Sequence, residues 1–454
     1  MAGKELRGRC PADAGFSTKC LYAGQQPDPT TGARTTPINM STAFVFQDSE
    51  QAAARFALGE FGPIYTRITN PTSDAVEQKI AALEGGSAAV ATSCGHAAQL
   101  LAFSNLMQPG DHIVATDKLY GGTFTQFGRQ FKQFGWEVTF CGYEDFDGIK
   151  GAITPRTKAV YCESIANPGG LVLDLEKLAS IAHEHGLPLI VDNTTATPYL
   201  VRPFEHGADV IVHSATKGLG GHGNAMGGFV VEKGDFDWAR SGKFPVLSEP
   251  CESYHGVKLY ETFGKDGPVA ESMGTKGKCG MAFAIAARTL GLRDMGMCIS
   301  PFNAFLISMG METLPLRMQK HCDNTLEVAR FLEKHPKVKW VRYAGLGGSN
   351  FALHQKYCPK GAGALFTFGL KGGYEAGKAL VDSVQMISLV ANLGDSRTLI
   401  AHPASMMHSQ LSEEQRQAAG AETETIRLSV GLEDAKDIID DLRQALDATP
   451  QAAL

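Results

Sequence analysis

The stretch LEKLASIAHEHGLPLIVD, residues 175–192, decides how the chain is read. LEKLASIAHEHG has the pattern of a helix closed by glycine, and LPLIVD is a short apolar run ending in a carboxylate. A strand that is apolar throughout and follows a helix belongs to a mainly parallel sheet covered on both faces. The alternation continues outward in both directions. Upstream lie EQKIAALEGG (77–86) as a helix stopped by glycine, AAVAT (88–92), GHAAQLLAFSNLM (95–107) as a helix running to Pro109, and DHIVAT (111–116). A helix near TFTQFGRQFKQF (123–134), then WEVTF (136–140) and KAVYCES (158–164), complete that side. Downstream lie ADVIVHSA (208–215) and GGFVVE (227–232).

Near Arg317 the pattern changes to a helix NTLEVARFLEKH (324–335), strands KWVRY (339–343), GALFTFGL (363–370) and IRLSVG (426–431), and a last helix LEDAKDIIDDLRQAL (432–446). This predicts a large α/β domain over 67–316 and a smaller C-terminal α/β domain over 317–454. Residues 1–66, rich in Gly, Pro, Thr and Gln, are expected to extend as an arm.

Composition excludes several classes of function. The 454 residues carry 48 acidic and 42 basic side chains, for a net charge of −6, and the basic residues are scattered, so no nucleic-acid surface is expected. There is no apolar run of a length that spans a bilayer, and MAGKELRGRC lacks the apolar core of a secretory signal. The ten cysteines include no Cys-x-x-Cys pair, which suits reduced thiols in a cytoplasmic protein. His183 and His185 lack a third ligand at metal spacing and are expected on the surface. A nucleoside triphosphate site is disfavoured, since no G-x-x-x-x-G-K-[ST] occurs.

Ligands of open parallel sheets bind outside the carboxyl ends of the strands. Three features fall there. SCGHAA (93–98) opens a helix, so its N–H groups near Gly95 suit a phosphate, and Ser214 and Thr216 bring hydroxyls towards the same anion. Asp192 is a strand-end carboxylate able to hold a proton on a pyridine nitrogen. Lys217 directly follows a buried strand, where desolvation and nearby positive charge lower its pKa and free its amine for Schiff-base chemistry. A phosphate cup, an acid for a ring nitrogen and an amine for an aldehyde together describe pyridoxal 5'-phosphate.

VDNTTATPYL (191–200), HSATKGLGGHG (213–223), SLVANLGDSRTLIAHPASMMHSQL (388–411) and IRLSVGLED (426–434) resemble the Cys/Met-metabolism family of pyridoxal-phosphate enzymes, from about Ser17 to the final helix. The resemblance implies a fold-type I transferase. Carried over residue by residue, it implies that Lys217 binds the cofactor aldehyde, Asp192 pairs the ring nitrogen and Tyr120 of DKLYGGT stacks on the ring face. Ser214, Thr216 and the backbone of Gly95 and His96 would hold the phosphate. Tyr65 and Arg67 of YTRITNPT would complete that grip from a neighbouring subunit of a homotetramer, with the arm contacting that neighbour. Asn167 of ESIANPGG would approach the cofactor 3-hydroxyl, and Arg427, assisted by Asn167 and the backbone around Asn392, would clamp the substrate carboxylate.

Within the family, GKFPVLSEPCESYHGVKLYETFG (242–264) and the ending HPASMMHSQL (402–411) are most similar to the branch that replaces the acetoxy group of O-acetyl-L-homoserine with sulfide. The implied products are L-homocysteine and acetate, and Tyr120 would be the acid for the departing group. Gly122 stands where methionine γ-lyases typically carry cysteine. A γ-lyase, a cystathionine γ-synthase, a succinyl-ester sulfhydrylase and a non-catalytic cofactor-binding regulator are the other readings.

Overall fold

The computed structural model describes residues 7–406, 420 and 422–450. The end of the 388–411 segment, residues 407–411, therefore lies outside the described residues. Seven strands make the larger sheet: β1 (Ala88–Thr92), β2 (His112–Thr116), β3 (Glu137–Cys141), β4 (Thr157–Glu163), β5 (Leu189–Asp192), β6 (Val210–Ser214) and β7 (Gly228–Glu232). Their order is β1-β7-β6-β5-β4-β2-β3. β3, β2, β4, β5 and β6 run parallel, whereas β7 is antiparallel to both β6 and β1.

Strand pleating explains why these runs are apolar throughout. Val160 and Cys162 pack into one apolar layer while Ala159 and Tyr161 pack into the other; Val191 and Ile190 divide in the same way. Local signals set the flanking helices. Asn70 caps the helix Pro71–Glu84 by accepting from Thr72 N at 2.9 Å, and Gly85 ends it at φ +80°, a conformation that favours glycine. The helix expected to run to Pro109 spans only Gly95–Ser104. Asn105 explains the early stop: its side-chain amide donates to Leu101 O at 2.8 Å and so takes a carbonyl that another helical turn would use.

The 242–264 segment contributes a hairpin of two-residue strands, β8 (Pro250–Cys251) and β9 (Val257–Lys258). The second large sheet has the order β10-β11-β14-β13-β12, formed by β10 (Val338–Arg342), β11 (Leu365–Leu370), β12 (Ser388–Leu389), β13 (Leu399–Ala401) and β14 (Thr425–Ser429). It is antiparallel except for β12 beside β13. One helix, Leu314–Glu333, serves both sheets, and residue 317 falls inside it. Near its start Arg317 donates to Gly218 O at 2.9 Å and Leu219 O at 3.2 Å, just beyond Lys217. Further along, His321 and Asn324 bond to Val430 O and Gly431 O, just beyond β14.

Residues 7–66 are not uniformly extended. They hold the helices Phe16–Tyr22, which buries Cys20, and Ser49–Phe56. Met40 and Val45 between these helices, Phe56 at the end of the second and Phe61 beyond it stay exposed.

Candidate active site

A cavity of about 220 Å³ opens at the carboxyl ends of the parallel strands, the place that open α/β sheets give to ligands. Its wall includes Gly95, His96, Tyr120, Asn167, Asp192, Ser214, Thr216, Lys217, Asn392 and Arg427. Ten residues singled out in sequence thus come together from both sheets. Tyr65 and Arg67 do not join them. Arg67 instead lies over the Tyr65 ring, 5.6 Å from its centroid, and donates to Arg293 O beside a separate crevice.

Lys217 follows β6 by a short turn in which Thr216 exchanges backbone and hydroxyl bonds with Gly227. Its amine donates to Asn392 Oδ1. Burial, and then the charge of Arg427, hold its pKa below that of an ordinary lysine. Asp192 ends β5 with Oδ1 accepting from Thr194 N at 2.9 Å. Its Oδ2 accepts from Gln99 Nε2 and the Tyr161 hydroxyl, both at 3.3 Å. Arg427, on β14, is 6% exposed and donates to Asn167 Oδ1 at 3.4 Å and Asn392 O at 3.1 Å. Burial pulls its guanidinium down to about 10. Tyr120 stands at the mouth, 47% exposed, with its ring edge-on to that of His96 at 5.9 Å.

One wall of the cavity is shaped for an anion. The helix Gly95–Ser104 begins there, its N-cap Cys94 makes no side-chain capping bond, and the first N–H groups of any helix lack intrahelical acceptors. A Cβ at Gly95 would lie 2.7 Å from Ser214 Cβ, so glycine lets the amides approach the serine. Gln99 Oε1 is buried without a partner. An anion cup, a strand-end carboxylate, a neutralisable lysine and an aromatic ring fit pyridoxal phosphate.

Sequence reasoning did not find Glu163, Gln99 or Tyr161. Glu163 ends β4 as the register partner of Asp192, and it is 4% exposed. Burial and the neighbouring Asp192 carboxylate push its pKa well above the usual range. The available signal was the matching polar end of the run KAVYCES. Gln99 lies one turn along the helix from Gly95, where helical spacing could have flagged it. Exposed His183 bonds to Asp209, and His185 to Ile181 O, so neither approaches the site.

A family model described as Cys/Met metabolism PLP-dependent enzyme matches residues 17–447. The chain belongs to the Cys/Met-metabolism family of PLP-dependent enzymes. This member of the family is 48% identical to an O-acetyl-L-homoserine sulfhydrylase of Thermus thermophilus, over 95% of this chain and 99% of that relative. It is 46% identical to an O-acetyl-L-homoserine sulfhydrylase of Leptospira meyeri, over 94% and 96%. A crystal structure from Campylobacter jejuni that carries a pyridoxyl-lysine phosphate superposes with a TM-score of 0.89 at 40% identity, covering 96% of this chain and all of that one. Cystathionine γ-lyase of Lactobacillus plantarum, complexed with L-serine, gives 0.79 at 32%, covering 96% and 99%. The cofactor of this Cys/Met-metabolism enzyme is pyridoxal phosphate.

Proposed function

We propose that the chain catalyses γ-replacement, converting O-acetyl-L-homoserine and sulfide to L-homocysteine and acetate with pyridoxal phosphate carried on Lys217. The observation that carries this reading is the convergence of Lys217, Asp192, Tyr120 and Arg427 on one cavity. The substrate named for the two sulfhydrylase relatives supports it. When bound, the cofactor supplies an electron sink for negative charge at Cα and Cβ of the amino acid.

The protein groups do the rest. Burial and the charge of Arg427 leave the Lys217 amine neutral at lower pH than usual, ready to attack the cofactor aldehyde and later to remove the Cα proton. Asp192 holds a proton on the ring nitrogen, and Asn167 approaches the 3-hydroxyl. The amides of Gly95 and His96, with the hydroxyls of Ser214 and Thr216, bind the phosphate. Arg427 offers a planar fork to the substrate carboxylate, flanked by Asn167 and the Asn392 carbonyl. Two-pronged binding fixes the Cα–H direction, and so which bond breaks. Lys217 also moves a proton from Cβ, and the Cγ–O bond breaks as Tyr120 gives its phenolic proton to the ester oxygen of the departing acetate. Hydrogen sulfide then bonds to Cγ through sulfur and returns a proton to the Tyr120 oxygen, and Lys217 gives protons back to Cβ and Cα.

We further infer a cytoplasmic homotetramer in which Tyr65 and Arg67 of a neighbouring copy complete each phosphate site. The position of both residues outside the cavity of their own chain supports the sharing. Ten free cysteines agree with a reducing compartment.

The test is product analysis with O-acetylhomoserine, with and without sulfide. Homocysteine that forms only with sulfide is the expected result. Predominant 2-oxobutyrate and ammonia would make the chain a lyase, and no product from any γ-substituted amino acid would leave a regulator.

A further inference from the structure

We propose that Glu163 is a positioning residue that holds Tyr120 and Asn167 in register beneath the cavity, and through them sets both the acid and the carboxylate clamp. The inference rests on the roles just given to Tyr120 and Arg427. Its two oxygens do separate work. Oε1 accepts from Tyr120 N at 2.6 Å, and Oε2 accepts from Asn167 N at 2.9 Å.

The two donors come from different loops. Tyr120 follows β2 and Asn167 follows β4, so one carboxyl ties two strand-end loops together. The Tyr120 carbonyl accepts from Thr123 N and Phe124 N, but the tyrosine side chain is largely exposed and meets the His96 ring only at an edge. Asn167 passes the constraint on, because its Oδ1 accepts from Arg427 Nη1. A carboxyl group, protonated or ionised, keeps an acceptor lone pair on each of its two oxygens, which is what two facing N–H groups require. Glutamine at this position would turn an NH2 donor towards one of them. The partner left facing it would be a buried, unsatisfied amide.

The experiment compares wild type, Glu163→Gln, Tyr120→Phe and the double variant, all loaded with cofactor. Amide hydrogen exchange read by mass spectrometry is the first readout. Peptides holding Tyr120 and Asn167 should exchange faster in Glu163→Gln, roughly tenfold to a hundredfold at the released amide, the range for one buried donor left unsatisfied. Peptides from the second sheet should not change. Kinetics is the second readout. Glu163→Gln should lower kcat by more than it raises KM, and in kcat the double variant should be no worse than about twofold below Tyr120→Phe, because both changes act on the same acid, while the loosened clamp shows in KM.

Unchanged exchange at both amides would overturn the proposal, and so would kcat losses that multiply in the double variant. Should Glu163→Gln fail to fold, Glu163→Asp carries the same test: it keeps both acceptors but withdraws them, so the same two amides must lose protection to a smaller degree. Absence of homocysteine from the wild-type chain would remove the functional reading alone, since the exchange result needs no substrate.

Discussion

Arg427 shows what a single residue contributes here. It is buried, its partners are two neutral oxygens, and among the described residues it has no carboxylate of its own. A buried cation without a counter-ion is costly, and an arriving carboxylate relieves that cost. Arg427→Lys keeps the charge but loses the fork, so we expect KM for the amino acid to rise at least about tenfold, as for the loss of one charge-assisted bond. Unchanged KM and kcat would remove Arg427 from the carboxylate role. The same guanidinium acts on Lys217. Its charge is the second cause, after burial, of the lowered lysine pKa. Arg427→Leu should therefore raise that pKa, and in cofactor-free protein the curve of Lys217 reductive methylation against pH should move to higher pH. A curve that stays in place would mean burial alone sets it.

At the scale of elements, the helix Gly95–Ser104 carries the anion cup, and its first residue has no room for a side chain. Gly95→Ala places a methyl 2.7 Å from Ser214 Cβ, so one of the two must move. Overpacking of this kind costs about 1–3 kcal/mol. The expected outcome is cofactor binding about fivefold to a hundredfold weaker in a fluorescence titration, with the second sheet unaffected. The helix and its neighbouring strands were legible because apolar runs and glycine stops are local signals. Lys217, Asp192 and Ser214 were legible because each sits within a few residues of such a run. The direction of β7 was not legible: GGFVVE is buried on both faces whichever way it runs. Nor could Asn105 announce that its amide would cut the helix short. Glu163 escaped because its meaning lies in donors from Tyr120 and Asn167, and spacing along one chain does not reveal a shared acceptor.

For the molecule as a whole, the helix Leu314–Glu333 joins the two sheets, and His321 is its buried link. Its Nδ1 donates to Val430 O at 2.7 Å while Nε2 has no partner, and burial pulls its pKa down to about 4. An unfolded histidine binds its proton near 6.5, so between pH 6.5 and about 4 the unfolded chain takes up more protons than the folded one. This contribution to stability is complete above that window and is lost as pH falls through it, by up to about 3 kcal/mol. His321→Gln keeps a donor for Val430 without the titration, so its urea midpoint should differ less between pH 7.5 and 5 than that of wild type.

Assembly provides another whole-molecule test. If Arg67 serves a neighbouring copy, Lys217→Ala and Arg67→Ala chains, each nearly inactive alone, should complement after joint refolding. Random pairing makes about half of the dimers hybrids with one intact site of two, so roughly a quarter of wild-type activity should return. Recovery no greater than the sum of the separate variants, with hybrids shown to form, would mean that Arg67 serves its own chain.

The antiparallel β7 also bears on how the chain is made. β1 is among the first strands to leave the ribosome, yet within its sheet it pairs only with β7, Ala88 opposite Glu232. Until that last strand emerges, β1 is an apolar edge with no neighbour, and closing so long a loop is slow. The cup has the same history. Gly95 needs Ser214 against it, and the start of β7 at Gly228 backs onto Cys94 O. A nascent chain stalled before residue 228 would thus display an open strand and a phosphate site without the strand that backs it. Cofactor supplied during synthesis can act only on chains that have passed that point, and chaperones are needed most by those that have not.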